Sequence, residues 1–287
     1  MEIPIFFLHG LGYAGLLFLV SAGLTLIFGM MNVLNFAHAA MYMLGAYFSY
    51  SIMNHFTGQL WLSLLIVPVV LFILGALIQR FLLRPVNKLG HVHQLLLTFG
   101  LAYIIKELVQ WYWGNYPLAV NVGGFLNSTI QIIGITYPVY RIFIFLCAIF
   151  VGIIMAFIIY KTRLGIVIRA AVNDSEMVNA LGVNVPLVFM GVFAFGTALS
   201  GFAGVIAAPL LSVFPGMGNE ILIDAFVVIV IGGFGSLGGA VVASLIIGQL
   251  QSFGVLLIPQ LSMALVYLLM VTVLIIKPSG LFGEDSL

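Results

Sequence analysis

An all-α polytopic membrane protein is the fold class this sequence predicts, and three observations carry the prediction. Of the 287 residues, 63% are apolar and only 6% are charged, where a soluble domain carries about 25% charged residues. Apolar runs recur along the whole chain at the roughly 20 residues a spanning helix needs. Two Gly- or Asn-containing stretches interrupt those runs, as broken or re-entrant half-helices would. The expectation is about eight hydrophobic helical elements in a single transmembrane domain over residues 1–287.

The elements follow in order. MEIPIFFLHG lacks a basic n-region and a small-residue cleavage site, so it reads as an uncleaved first span covering 5–28. GMMNVLNF, residues 29–36, interrupts it with Asn32 and Asn35. Apolar stretches follow at 37–53 and 61–83, then a basic connection with Arg84, Lys88, His91 and His93. A fourth span covers 94–113; its Lys106–Glu107 pair sits near a Trp111, Tyr112, Trp113 belt of the kind found at membrane interfaces. Residues 114–137 read as a loop, 139–160 as a fifth span with Arg141 at its entry, and 187–213 as a sixth. Residues 220–254 are too long for one simple span and are split by GGFGSLGG, so they read as two half-helices meeting at a break. The last span is 256–276, closed by Lys277, Pro278 and Gly280.

Lysine and arginine set the orientation. The Arg80–Lys88 cluster and the loop at about 161–186 are the two basic regions, two spans apart, so both belong to the cytoplasmic side. Lys277 argues for a cytoplasmic C-terminus. That requires 220–254 to enter from outside, break at the glycines and return, giving about seven crossings plus one re-entrant pair. The same count puts the N-terminus outside, unless the Asn-containing break makes the second stretch re-entrant too.

Within the cytoplasmic loop, KTRLGIVIRAAVNDSEMVNALGVNV holds a short helix. Asn173 is its expected N-cap, with Glu176 three residues later in capping-box position. Asp174 and Glu176 then lie in the first turn, where the helix dipole favours negative charge, and Gly182 supplies a left-handed stop. Met177, Val178 and Leu181 fall on one side. A capped helix with an apolar face between two spans suggests a docking element; a solvated loop helix with no partner is the alternative.

Other features exclude more than they assign. HExxH, GxSxG, Walker A and paired Cys/His spacings are absent from the sequence, so it offers no metal site and no nucleophile–base pair. With no room for a large soluble domain, any enzymatic engine belongs to another chain. Net charge of +1 gives no reason to expect nucleic acid, and the lone Cys147 in an apolar run reads as a packed hydrophobe. Gly233, Gly235 and Gly238 match GxGxxG, but no βαβ unit surrounds them; close packing and an unwound segment lining a substrate path suit them better. Gly196, Ser200 and Gly204, with Thr197 and Gly201, have the small-residue spacing of close helix contacts, within this chain or with a second subunit. Asn32, Asn35 and His38 either cap helix ends or line a path, because unpaired polar groups at membrane depth are costly. Asp224 is the one acid expected below the outer surface, or else a first-turn residue of its half-helix.

Four segments resemble one known family. TLIFGMMNVLNFAHAAMYMLGAY resembles the NFAHG-type signature of LIV-type ABC importer permeases, those for branched-chain amino acids, with Ala39 where a glycine is usual. RAAVNDSEMVNALGVNV is similar to their cytoplasmic loop, GGFGSLGGA to their GGxGSxxGA stretch, and KPSGLFG to their RPxGLFG ending with Lys for Arg. The segments stand in family order, and the match is to the LivH-like branch. The resemblance implies a permease subunit, not itself an enzyme, in a bacterial or archaeal inner membrane. Its implied partners are a LivM-like second permease, two ABC ATPase subunits that carry ATP–Mg, and a periplasmic or extracellular solute-binding protein; this chain needs no cofactor.

The expected ATPase-coupling set is Asn173, Asp174, Glu176, Met177, Val178, Leu181 and Gly182. The expected translocation path includes Asn35, His38, Gly233, Gly235 and Ser236. Branched-chain amino acids are the expected cargo, moved by alternating access. Similar permeases moving urea or short amides are the alternative, and an ion-coupled secondary transporter or channel is a rival of another class.

Overall fold

The structure, a computed structural model, describes residues 3–31, 35–56, 59–132 and 134–283. Seven of its helices are long and apolar enough to cross a membrane. The first, α1 (Ile3–Met31), is apolar on every side and most of it is buried within the bundle, as an axial helix surrounded by others must be. Glycines along it face different neighbours. A methyl group on Gly15 would fall 3.2 Å from the Phe145 Cα, one on Gly23 2.7 Å from the Gly196 carbonyl, and one on Gly29 3.0 Å from the Gly235 Cα. Small residues let helix backbones approach closely where lipid supplies no hydrophobic drive to association.

The remaining helices are α2 (Ala37–His55), α3 (Leu60–Ile78), α4 (Arg84–Val86), α5 (His91–Trp113), α6 (Val139–Lys161), α7 (Arg163–Asn173), α8 (Ser175–Ala180), α9 (Val185–Ala207), α10 (Met217–Gly232), α11 (Leu237–Leu257) and α12 (Ser262–Ile276). A π-helical turn, Gln79–Leu83, joins α3 to α4. Pro85 cannot donate to the ladder and would crowd the carbonyl four residues back; the wider turn, in which Arg84 N–H reaches the Gln79 carbonyl, accommodates it.

Contacts fix the relative directions. α1 and α6 run parallel, since Gly12 faces Arg141 while Phe18 faces Gly152. α1 and α11 are antiparallel, Gly10 meeting Gln249 and Gly29 meeting Gly235. α6 leads into the basic loop, so α1 also ends on the cytoplasmic side and begins outside. The Arg80–Asn87 segment and α8 share one groove, which puts both basic clusters at the same end of the bundle.

Several expectations are corrected here. The sixth span ends at Ala207, not 213, because Pro209 cannot continue the ladder; Val213 instead pairs with Leu118 of the outer loop in an antiparallel bridge. That outer loop is not structureless: β1 (Thr129–Ile132) and β2 (Ile135–Pro138) form an antiparallel hairpin, Ile130 opposite Tyr137. α11 is a full-length span, so it is not a half-helix, whereas α10 has only 16 residues. α2 begins beside the middle of α1, where His38 Nε2 lies 3.0 Å from the Val20 carbonyl, so the second stretch starts inside the bundle and runs outward parallel to α9. The small-residue stripe of α9 packs within this chain. Thr197 Oγ1 donates to the Leu71 carbonyl at 3.2 Å, Ser200 Oγ to the His38 carbonyl at 2.7 Å, and Gly201 leaves room for Gly45.

Candidate functional site

At the cytoplasmic end the chain builds a short helical platform. Thr162 opens α7 by accepting from Gly165 N at 3.2 Å. Asp174, not Asn173, caps the next helix: its Oδ1 accepts from Met177 N at 2.9 Å, while Asn173 is the last residue of α7. In an Asn-Asp-Ser run either of the first two side chains can cap, and the carboxylate gains more from the helix dipole. Gly182 takes the expected left-handed stop at φ +86°.

The apolar residues of α8 do not share one face. Val178 is buried against Ala171 and Val185 in a small core of the loop's own. Met177 and Leu181 are 58% and 75% exposed. They stand free beside exposed Asp174 and Glu176. An anchored helix that displays two large apolar side chains at the cytoplasmic end has the form of a docking knob.

The glycine break lies at the cytoplasmic end of the α10–α11 hairpin. Gly233 and Gly235 have φ of +99° and +76°. The C-terminal segment seals the break from below: Leu281 N donates to the Ile231 carbonyl at 2.8 Å and Phe282 N to the Gly232 carbonyl at 3.0 Å. A Cβ on Gly233 would fall 2.8 Å from the Gly283 Cα, so Gly233 is held by both its dihedral and its surroundings. Ser236 caps α11, accepting from Gly239 N at 3.0 Å, and Gly235 remains exposed.

Asn35 and His38 are buried inside the bundle. Asn35 Oδ1 accepts from Ala37 N at 3.1 Å and turns the chain into α2. His38 is 0% exposed. Its Nε2 donates to the Val20 carbonyl, which leaves Nδ1 without a partner among the described residues. Asn32 lies outside the described residues.

The structure also joins residues that the sequence did not connect. Asp224 stands in the middle of α10, not in its first turn, and Tyr13 of α1 donates to its Oδ2 at 2.9 Å. Glu220 lies one turn nearer the outside, and the buried hydroxyl of Tyr42 on α2 has no hydrogen-bond partner among the described residues. Asn219, Glu220 and Ile223 form an exposed face of α10, with Asp224 half-buried at its edge. Acids within an apolar run were the only signal in the sequence; nothing there pointed to Tyr13. At the outer end Arg141 donates to His9 Nδ1 at 2.7 Å, leaving the imidazole proton on Nε2. Among the described residues no cluster of His, Cys, Asp or Glu could hold a metal ion.

Residues 6–274 match the family described as branched-chain amino acid transport system / permease component. The chain is 26% identical to the high-affinity branched-chain amino acid transport system permease protein BraD of Pseudomonas aeruginosa, covering 97% of this chain and 95% of the relative. It is 25% identical to the permease LivH of Escherichia coli K12, over 93% and 91% of the two chains. A probable LivH of Methanocaldococcus jannaschii is 28% identical over 95% and 90%. No solved structure matches. The family accounts for a membrane component without ATPase machinery of its own, which works with ATPase and binding-protein partners. The chain is a multi-pass membrane protein and belongs to the permeases of branched-chain amino acid ABC transporters, on the LivH/BraD-like side of that family.

Proposed function

We propose that this chain forms one wall of the path through which an ATP-driven importer moves branched-chain amino acids by alternating access. The observation that carries the reading is the open face of α10, where Glu220 and Asp224 project from a membrane helix that its own chain leaves uncovered. Acidic side chains are too costly to present to lipid, so such a face belongs against a water-filled path or another subunit. An amino acid brings an ammonium group complementary to these carboxylates, and its aliphatic side chain would meet Ile223 beside them. Urea and short amides carry no such charge. The BraD and LivH relatives are named for branched-chain amino acids, in keeping with this cargo.

A LivM-like second permease would close the opposite wall, and a solute-binding protein would deliver substrate at the outer mouth. Two ATPase subunits, holding ATP–Mg, would seat α8 through Met177, Leu181, Glu176 and Asp174. Val178 and Gly182 would hold that helix in shape, with Asn173 at the joint behind it. Gly235 and Ser236 would stand near the inner exit, while Asn35, His38 and Gly233 would fix the helices around the path.

The test is uptake by the complete importer in proteoliposomes, with labelled leucine and labelled urea offered in separate runs. Leucine uptake that falls in Asp224→Asn is expected. ATP-driven urea uptake without leucine uptake would overturn the cargo assignment.

A further inference from the structure

The cytoplasmic rim carries a second site that amino-acid passage does not use. A groove of about 580 Å³ separates the π-helical turn and α4 from α8 and the start of α9. Arg80 and Arg84 line one side, and Glu176 and Asn179 line the other. Among the described residues neither guanidinium has an ion-pair or hydrogen-bond partner; Arg80 only stacks over the Phe81 ring at 5.6 Å. Gln79 lines the same groove at 3% exposure, and its Oε1 has no partner among the described residues. Leaving a buried amide oxygen unbonded is costly, so its unused capacity points to a missing donor. Exposed apolar side chains flank the groove: Leu187 is part of its lining, and Phe81 follows Arg80 on the opposite wall.

We propose that this groove binds the headgroup of an anionic phospholipid of the inner leaflet, of the phosphatidylglycerol kind. Two guanidiniums and one carboxylate give the site a net positive charge, which a headgroup of net charge −1 neutralises and a zwitterionic one does not. The phosphodiester takes the arginine fork donors, and the two free glycerol hydroxyls donate to the amide oxygens of Gln79 and Asn179. Basic pockets between membrane helices on the cytoplasmic side hold lipid headgroups in this way. The arginines stand four residues apart, a spacing that sets side chains on one helical face, the first within and the second just after a π-helical turn of the kind that recurs at functional sites. Because α8 is the far wall, the lipid bridges a membrane helix to the docking knob and steadies its position.

The test uses the complete importer in nanodiscs of phosphatidylcholine with a minor fraction of phosphatidylglycerol, and native mass spectrometry counts the retained lipid. Wild type is expected to enrich phosphatidylglycerol, and Arg80→Gln/Arg84→Gln to reduce that enrichment about tenfold. Arg80→Lys/Arg84→Lys keeps the charge without the fork and is expected to retain part of it, which gives a reading should the glutamine pair fail to insert. Unchanged enrichment in the glutamine pair, or loss of all enrichment in wild type on adding inorganic phosphate, would overturn the lipid site. Loss of the ATPase subunits from the glutamine pair in pure phosphatidylcholine would overturn it as well, and would assign the groove to protein docking.

Discussion

Tyr13 and Asp224, 211 positions apart in the sequence, meet through a 2.9 Å hydrogen bond that ties the outer part of α1 to the middle of α10. The bond holds a carboxylate at the edge of the open face and joins the axial helix to the helix proposed to line the path. A shift of α10 during transport therefore has to keep this bond or break it.

Removing the donor should show that cost. A hydrogen bond to a charged group contributes about 1.5–3 kcal/mol, so Tyr13→Phe should weaken transport about tenfold or more. Initial uptake rates across substrate concentrations check this. Asp224→Asn keeps an acceptor for Tyr13 and should lose discrimination in favour of the zwitterion while the helices stay joined.

The cytoplasmic helix gives a sharper test. Met177→Glu with Leu181→Glu should abolish substrate-stimulated ATP hydrolysis while membrane insertion stays intact, because both side chains are exposed and do not support the fold. Normal stimulated hydrolysis in that variant would refute the docking role.

Asp174→Ala should destabilise α8 by about 1 kcal/mol through loss of its cap, and Asp174→Asn should restore most of that. Asn173→Ala should have little effect on the same helix, since Asn173 does not cap it. Proteolysis rates within residues 163–184, measured on the assembled complex, separate the three variants.

Gly233→Ala should loosen the C-terminal segment. The alanine meets both an unfavourable positive φ and the backbone of Gly283, a strain of about 1–3 kcal/mol. Gly238→Ala, whose added Cβ would meet nothing within 4 Å, is the matched control and should leave stability unchanged. Thermal denaturation in detergent compares them.

Much of this was legible in the sequence, for identifiable reasons. Apolar runs placed α3, α5 and α6 within a few residues, since lipid-facing helices have little choice of composition, and fixed the end of α12, whose start was set six residues early because α11 stays apolar to Leu257. The cytoplasmic helix and its Gly182 stop followed from local capping chemistry. The end of α9 was missed because residues 208–213 stay apolar after the helix stops. The depth of the glycine break was not legible, because GGFGSLGG specifies a turn but not what lies against it; the Lys277–Gly283 segment does that, Leu281 and Phe282 bonding to Ile231 and Gly232 far earlier in the chain. Asn35 and His38 stand out in the sequence because they are polar in an apolar setting, but the one hydrogen bond each makes, to Ala37 N and to the Val20 carbonyl, depends on folding and was not legible there. Tyr13 was invisible as a partner, since no periodicity links α1 to α10.

Uptake of radiolabelled leucine into proteoliposomes, with this chain alone and then with a second permease, two ATPases, a binding protein and ATP at the ATPase face, is the most direct measurement. Leucine should enter only with the complete set and ATP. Leucine entry through this chain alone, driven by an ion gradient, would contradict its role as one wall of an ATP-driven path.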